Sequence, residues 1–169
     1  MLLLAPECDA LSGRKSGTCA QSFGVCCIFS INCGASSKEN NTFAIKDSFS
    51  FSTDADPCTY TFCKANSDVC KLKIEFDLLV LEGPGRISTP AAPEDSPLVG
   101  DCLTDTLTIA IPGAQSPPTI CGYNTNQHIF VPASDLCNTV SIDIDTGTTT
   151  TTRHWKMRVL FFKTNLKLS

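Results

Sequence analysis

Cysteine is the residue type with the clearest chemistry in this sequence. There are eleven: Cys8, Cys19, Cys26, Cys27, Cys33, Cys58, Cys63, Cys70, Cys102, Cys121 and Cys137. Structural zinc sites usually show two Cys-x-x-Cys steps, or two cysteines with two histidines. No Cys-x-x-Cys step occurs, and the two histidines, His128 and His154, stand apart. We therefore predict disulfides, formed in an oxidising compartment. Because eleven is odd, at least one cysteine is free, bonds to another chain or has lost its partner.

The two histidines are also the candidates for general-base catalysis. His128 precedes the apolar run Ile129–Val131, and His154 precedes Trp155. Histidines in such settings are more often packing or surface residues than catalytic bases. The chain also lacks a Gly-x-Ser-x-Gly elbow and a Cys-His signature. The sequence predicts that this chain is not an enzyme.

Composition excludes several partners. The formal net charge of -4 opposes binding to a phosphate backbone, so nucleic acid is not expected. No run of about 18 apolar residues is present to span a membrane.

The chain is predicted to be secreted. Residues 1–6 are too short for a complete signal peptide, and sequence is expected to be missing at both ends. The single sequon, Asn40-Asn41-Thr42, makes Asn40 a candidate glycosylation site, with an unused sequon as the alternative.

Short strands separated by turn residues are the elements that must position these groups. The clearest, Lys71–Leu78, alternates charged and apolar residues, which indicates a strand with one buried face. Further strands are predicted at 59–62, 103–111, 128–131, 140–144 and 155–161. The residues expected in the core are Leu72, Ile74, Phe76, Ile109, Ile142 and Trp155. Several short strands of this kind predict a β-sandwich or barrel.

Three segments do not fit the strand pattern. Residues 1–32 resemble a small cysteine-rich leader, because about 30 residues cannot build a core without cross-links. Residues 83–100 are rich in proline and glycine and are predicted to form a long exposed loop. Thr148–Thr152 is interpreted as a β-prone or flexible connector, with an O-glycosylated tract as the alternative.

From residue 33 onward, five short motifs follow one another: Cys33-Gly34, then Cys58-Thr59-Tyr60-Thr61-Phe62, then Leu81-Glu82, then Cys102-Leu103-Thr104-Asp105, then Cys121-Gly122. This order of cysteines and strands resembles a CUB domain. The resemblance implies an all-β, antiparallel, jelly-roll-like sandwich stabilised by disulfides. It divides the chain into a leader at 1–32, a CUB-like domain at 33–162 and a tail at 163–169.

The resemblance also implies disulfides. The two bonds typical of the family would join Cys33 to Cys58 and Cys102 to Cys121. Cys63, Cys70 and Cys137 are extra to the family pattern. Because Cys63 and Cys70 flank a seven-residue step, a hairpin staple between them is a further hypothesis.

A calcium site follows from the resemblance in the same way. Many CUB domains bind calcium through the glutamate of Leu-Glu, the aspartate of Cys-x-x-Asp and a later aspartate. Glu82 and Asp105 match the first two positions, and Asp145 is the candidate for the third. The alternative is that these are ordinary charges at strand ends, and the proline-rich insertion could displace Glu82. No other cofactor is implied.

The function that this pattern favours is a non-catalytic, extracellular binding module for a protein or carbohydrate partner. Two other classes remain open. The chain could be a regulatory part of a larger secreted protease, since CUB modules often accompany catalytic domains. It could also be a structural component of a coat or secretion.

Overall fold

A computed structural model describes residues 1–46, 57–83, 101–145 and 152–163. Within these ranges the chain forms eleven strands and one short helix. In chain order they are β1 (Leu2–Leu3), α1 (Ala5–Ala10), β2 (Arg14–Cys19), β3 (Gly24–Ile31), β4 (Ser36–Ser37), β5 (Thr42–Lys46), β6 (Cys58–Phe62), β7 (Val69–Val80), β8 (Thr106–Ala110), β9 (His128–Pro132), β10 (Asn138–Asp143) and β11 (His154–Lys163).

The strands form two sheets. The larger has the order β1-β3-β5-β11-β7-β9, with β2 paired to β3, and the smaller has the order β4-β6-β10-β8. Most pairs are antiparallel, as the sequence predicts. The predicted all-β sandwich is confirmed, and two of its strand pairs are parallel, β3 with β5 and β4 with β6, so both sheets are mixed.

The core lies between the inward faces of the two sheets. All six residues predicted to be buried are at most 3% exposed, which confirms the register chosen for their strands. In β7 the period of two places Leu72 inside, while Lys73 keeps part of its side chain in solvent. Every strand predicted from the sequence is present, with ends that differ by a few residues.

The leader does not stand apart from the sandwich. Its last strand, β3, pairs in parallel with β5, with Phe29 opposite Thr42. Behind this strand, Cys8, Cys27 and Phe29 form a second small buried cluster. The boundary between leader and CUB-like domain at residue 32 stays a prediction. In the structure, the pairing of β3 with β5 makes residues on both sides of this boundary part of one sheet.

Several sequence predictions fall outside the described residues. These are most of the proline-rich loop, at 84–100, most of the threonine run, at 148–151, and the predicted tail after Lys163, at 164–169. The described helix α1 has six residues, and no helix in the described ranges has the length and apolar character needed to cross a membrane.

Five disulfides link ten of the eleven cysteines, all of which lie in described ranges. The bonds are Cys8–Cys27, Cys19–Cys26, Cys33–Cys58, Cys63–Cys137 and Cys102–Cys121, which leaves Cys70 free. The Cys33–Cys58 and Cys102–Cys121 bonds are those that the CUB resemblance implies.

The hypothesis of a hairpin disulfide between Cys63 and Cys70 is wrong, because Cys63 is bonded to Cys137 and Cys70 is free. The two cysteines flank the step from β6 to β7, and these strands lie in different sheets, so the step is not a hairpin. Cys63 instead follows β6, whose partner β10 places Asn138 opposite Phe62. The next pair along this antiparallel ladder is Cys63 with Cys137, and their Cα atoms are 4.2 Å apart.

Candidate functional site

Asp105 lies at the centre of a polar cluster at one end of the sandwich. It directly precedes β8, and its residue is 0% exposed. The carboxylate accepts four hydrogen bonds. Oδ2 accepts from the backbone N of Glu82 at 2.7 Å and from Nε of Arg153 at 2.8 Å. Oδ1 accepts from the backbone N of Asp145 at 3.2 Å and from Nη2 of Arg153 at 3.1 Å.

Strand direction explains why these four residues meet. Glu82 follows the end of β7, and Arg153 precedes the start of β11, whose His154 pairs with Val80. In the other sheet, Asp145 follows β10 and Asp105 precedes β8. Because both strand pairs are antiparallel, the end of one strand lies beside the start of its partner. We call the place where Glu82, Asp105, Asp145 and Arg153 meet the Asp105 end.

Arg153 is the residue that the sequence analysis missed. Its side chain is 3% exposed, and it makes a bidentate, buried ion pair with Asp105. Nη2 also donates to the backbone oxygen of Asp145 at 3.1 Å. A bidentate guanidinium–carboxylate pair is among the strongest charged contacts in proteins. The signal available in the sequence was a single cation placed immediately before the amphipathic strand β11.

The three residues predicted to bind calcium lie close together, but only one of them contributes its carboxylate to the contact. Asp105 contributes its carboxylate, while Glu82 and Asp145 each donate a backbone N–H to it. Among the described residues, no group of three or more His, Cys, Asp or Glu side chains is placed to hold a metal ion. The predicted set of three carboxylates is therefore not assembled, and calcium binding stays a prediction.

A second group of side chains lies on the outer face of the larger sheet. Phe130 of β9 and Phe162 of β11 are 52% and 43% exposed, with ring centroids 5.9 Å apart. His128 meets Phe130 edge to face at 5.6 Å, and the Lys73 ammonium lies 5.7 Å from the Phe130 ring centroid. We call these four residues the aromatic patch.

Charged residues adjoin the aromatic patch. Glu75 of β7 lies between His128 of β9 and Arg158 of β11 in the strand register. The Lys73 ammonium is 2.6 Å from the Glu75 carboxylate, and Arg158 pairs with the same carboxylate. The pKa of Glu75 is lowered below its ordinary value of 4.5, chiefly because Lys73 donates a hydrogen bond to the carboxylate. Burial acts in the opposite direction and raises the pKa, but its effect is smaller, and Arg158 lowers the pKa further.

The two histidines occupy different parts of the larger sheet. His128 belongs to the aromatic patch, and it also lines a hollow of about 180 Å³ with Glu75 and Arg158. His154 starts β11, beside the Asp105 end. Ligand pockets usually have volumes of about 300–1,000 Å³, so this hollow is small for an enclosed substrate.

The sequon lies in the turn before β5. Asn40 is exposed, and its Oδ1 accepts a hydrogen bond from the backbone N of Phe161 at 2.8 Å. Thr42 is 0% exposed, and its hydroxyl bonds to the backbone oxygen of Glu39 at 2.7 Å. Glycosylation of Asn40 stays a prediction. The buried threonine implies that a glycan would have to be added before the chain folds.

The fold is that of a CUB domain. The structure is similar to a solved structure of the CUB2 domain of MASP-1 bound to Ca²⁺, with a TM-score of 0.52 and 14% identity over 76% of this chain and 98% of that one. It is also similar to the CUB1-EGF-CUB2 region of human MASP-1/3, with a TM-score of 0.45 and 15% identity. The same region of rat MASP-1 matches with a TM-score of 0.47 and 12% identity.

The two longer structures are matched only in part. This chain covers 44% of the human MASP-1/3 region and 42% of the rat MASP-1 region, which correspond to 80% and 79% of this chain. No protein-family model matches the sequence, and no curated protein matches it. At these identities the likeness defines the fold of the chain and leaves its partner open.

Proposed function

We propose that this chain is a secreted, non-catalytic binding module that contacts a protein partner through the aromatic patch. The observation that carries the proposal is the exposed pair Phe130 and Phe162, held on neighbouring parts of one rigid sheet. Aromatic residues are enriched at protein interfaces, and exposed apolar groups rimmed by polar residues often mark them.

The surroundings of the patch support a protein partner. Lys73 is held against both Phe130 and Glu75, and Arg158 lies beside Glu75, so the apolar rings are bordered by fixed charges. Such an arrangement supplies an apolar centre and a polar rim. Because these side chains belong to β7, β9 and β11, binding would need little ordering of the backbone.

Secretion and lack of catalysis are supported by separate features. Five disulfides in 169 residues are typical of a protein that folds in an oxidising compartment. For His128, one of the two candidate bases, the adjoining hollow is small and polar, which suits a surface contact better than an enclosed substrate. A regulatory role within a longer secreted protease is compatible with the same patch.

The test compares three proteins against a panel of extracellular protein domains and a panel of glycans. These are the wild type, the double variant F130A/F162A and the matched control F23A, which removes a phenyl ring that is 82% exposed outside the patch. We expect a protein ligand whose Kd rises at least about tenfold in F130A/F162A, as for loss of interface hot spots. F23A should bind as the wild type does.

Thermal unfolding of each variant shows whether its fold is retained. Binding to glycans alone would overturn the proposal of a protein partner. Equal affinity of F130A/F162A and wild type for a protein ligand would overturn the assignment of the patch.

A further inference from the structure

We propose that the Arg153 guanidinium takes the place of a metal ion at the Asp105 end, so that this end of the sandwich is held together without calcium. The resemblance to CUB domains leads to the expectation of calcium here. The contacts of Asp105 fit a different cation, which the chain supplies itself.

The hydrogen bonds of Asp105 are the first argument. All four described partners of its carboxylate are N–H donors, two from Arg153 and two from the backbones of Glu82 and Asp145. Calcium is bound by six to eight oxygens at about 2.3–2.6 Å. Both oxygens of the carboxylate already face the guanidinium, so calcium could approach them only by displacing Arg153.

The second argument concerns Asp145. A backbone carbonyl is a suitable calcium ligand, but the carbonyl oxygen of Asp145 accepts from Nη2 of Arg153 at 3.1 Å. Arg153 therefore contacts three oxygens at this end that a metal ion would use: both carboxylate oxygens of Asp105 and the backbone oxygen of Asp145. Its single positive charge also balances the single negative charge of the buried Asp105 carboxylate.

The third argument is connectivity. Through Asp105, the guanidinium joins the segments that follow β7 and β10 to those that precede β8 and β11, two from each sheet. A cation that bridges separate segments stabilises their arrangement. Here the bridging cation is covalently part of the chain, so it stays in place when free calcium is low.

The first experiment needs no variant. Thermal unfolding of the wild type is followed in millimolar calcium and in chelator, with Trp155, the single tryptophan of the sequence, as the fluorescent reporter. A micromolar calcium site would shift the folding equilibrium about 1,000-fold under these conditions. We expect no shift. A calcium-dependent rise of the melting temperature would overturn the proposal.

The second experiment is a double-mutant cycle on the ion pair. The variants are D105N, R153M and D105N/R153M. Each single variant leaves a buried charged group without its partner, and we expect its unfolding equilibrium constant to rise about 150- to 5,000-fold. The double variant should be less destabilised than the product of the two single effects. If the change in the unfolding constant of the double variant equals the product of the two single changes, the two residues act independently and the proposal is overturned.

The matched control is D9N, which makes the same chemical change in the exposed ion pair of Asp9 with Lys15. It should change the unfolding constant by less than about fivefold. If a variant of Asp105 or Arg153 fails to fold, the comparison of calcium with chelator in the wild type still decides the question. Neither experiment depends on the aromatic patch. A failure of the proposal about Arg153 can therefore be distinguished from a failure of the proposed binding function.

Discussion

The indole Nε1 of Trp155 donates a hydrogen bond of 2.9 Å to the phenol oxygen of Tyr60 inside the core. Trp155 belongs to β11 of the larger sheet and Tyr60 to β6 of the smaller one, and both are 0% exposed. The bond therefore joins the two sheets across the sandwich. Buried polar groups are stable only when they are paired, so this contact favours one relative placement of the sheets.

We expect Y60F to destabilise the protein by about 1–3 kcal/mol. The substitution keeps the ring and removes the phenol oxygen that accepts from Trp155, while the indole N–H stays buried. Denaturant unfolding monitored by tryptophan fluorescence gives the free energy of unfolding.

The chain offers a matched control for this measurement. Its other tyrosine, Tyr123, is 75% exposed, and Y123F should change stability by less than about 0.5 kcal/mol. Equal effects of Y60F and Y123F would show that the bond across the core contributes nothing to stability.

The second prediction concerns the cysteines. Alkylation of the unreduced, denatured protein should label one thiol, at Cys70, and peptide mapping should join Cys63 to Cys137. C70S should change stability by less than about 0.5 kcal/mol, because Cys70 is partly exposed and serine can keep the bond that Sγ makes to the backbone oxygen of Phe162.

Loss of the Cys63–Cys137 bond should have a much larger effect. The bond closes a sequence separation of 74 residues, and the entropy of loop closure limits its contribution to about 4.4 kcal/mol. The C63S/C137S variant should therefore unfold at clearly lower denaturant concentration than C70S. A Cys63–Cys70 peptide in the map would contradict the placement of β6 and β7 in different sheets.

The strands could be predicted because their signal is local. In β7, the alternation of Leu72 and Ile74 with Lys73 and Glu75 reports at each residue which side faces the core. The order of CUB-like steps added the pairing of Cys33 with Cys58 and of Cys102 with Cys121, which the structure contains.

The pairing of Cys63 could not be predicted in the same way. It depends on which strand lies beside β6, and that strand, β10, is far away in the sequence. A short separation made Cys70 the plausible partner, although the chain crosses to the other sheet between the two cysteines.

Arg153 illustrates the same limit at the Asp105 end. The CUB resemblance grouped Glu82, Asp105 and Asp145 as calcium ligands, and in the structure the backbone N–H groups of Glu82 and Asp145 bond to the Asp105 carboxylate. Which cation lies among them depends on the reach and direction of one side chain. Local sequence carries no such information.

The third prediction is a pH dependence at Glu75. Its pKa is lowered in the folded state, so its charge stabilises the protein above the pKa of the unfolded chain. This stability is lost as pH falls through the lower, folded pKa. We expect E75Q to be less stable than wild type by about 0.5–1 kcal/mol at pH 7, with a difference that disappears at low pH.

Unfolding measured from pH 2 to pH 7 tests this expectation. The control is K73M, which removes the hydrogen bond that contributes most to the lowered pKa. In the K73M background, E75Q should have a smaller effect than in wild type. A difference between wild type and E75Q that persists unchanged at pH 2 would rule out the ionised carboxylate as its cause.

The last prediction concerns Asn40. If the chain is expressed through a secretory pathway, we expect a glycan on Asn40 that N40D abolishes, seen as a mass difference. N40D keeps a side-chain oxygen to accept from the Phe161 backbone N, whereas N40A removes it. N40A should therefore be less stable than N40D by about 1 kcal/mol, independent of glycosylation. An unglycosylated wild type would reject the sequon, while equal stability of the two variants would reject the role of the hydrogen bond to β11.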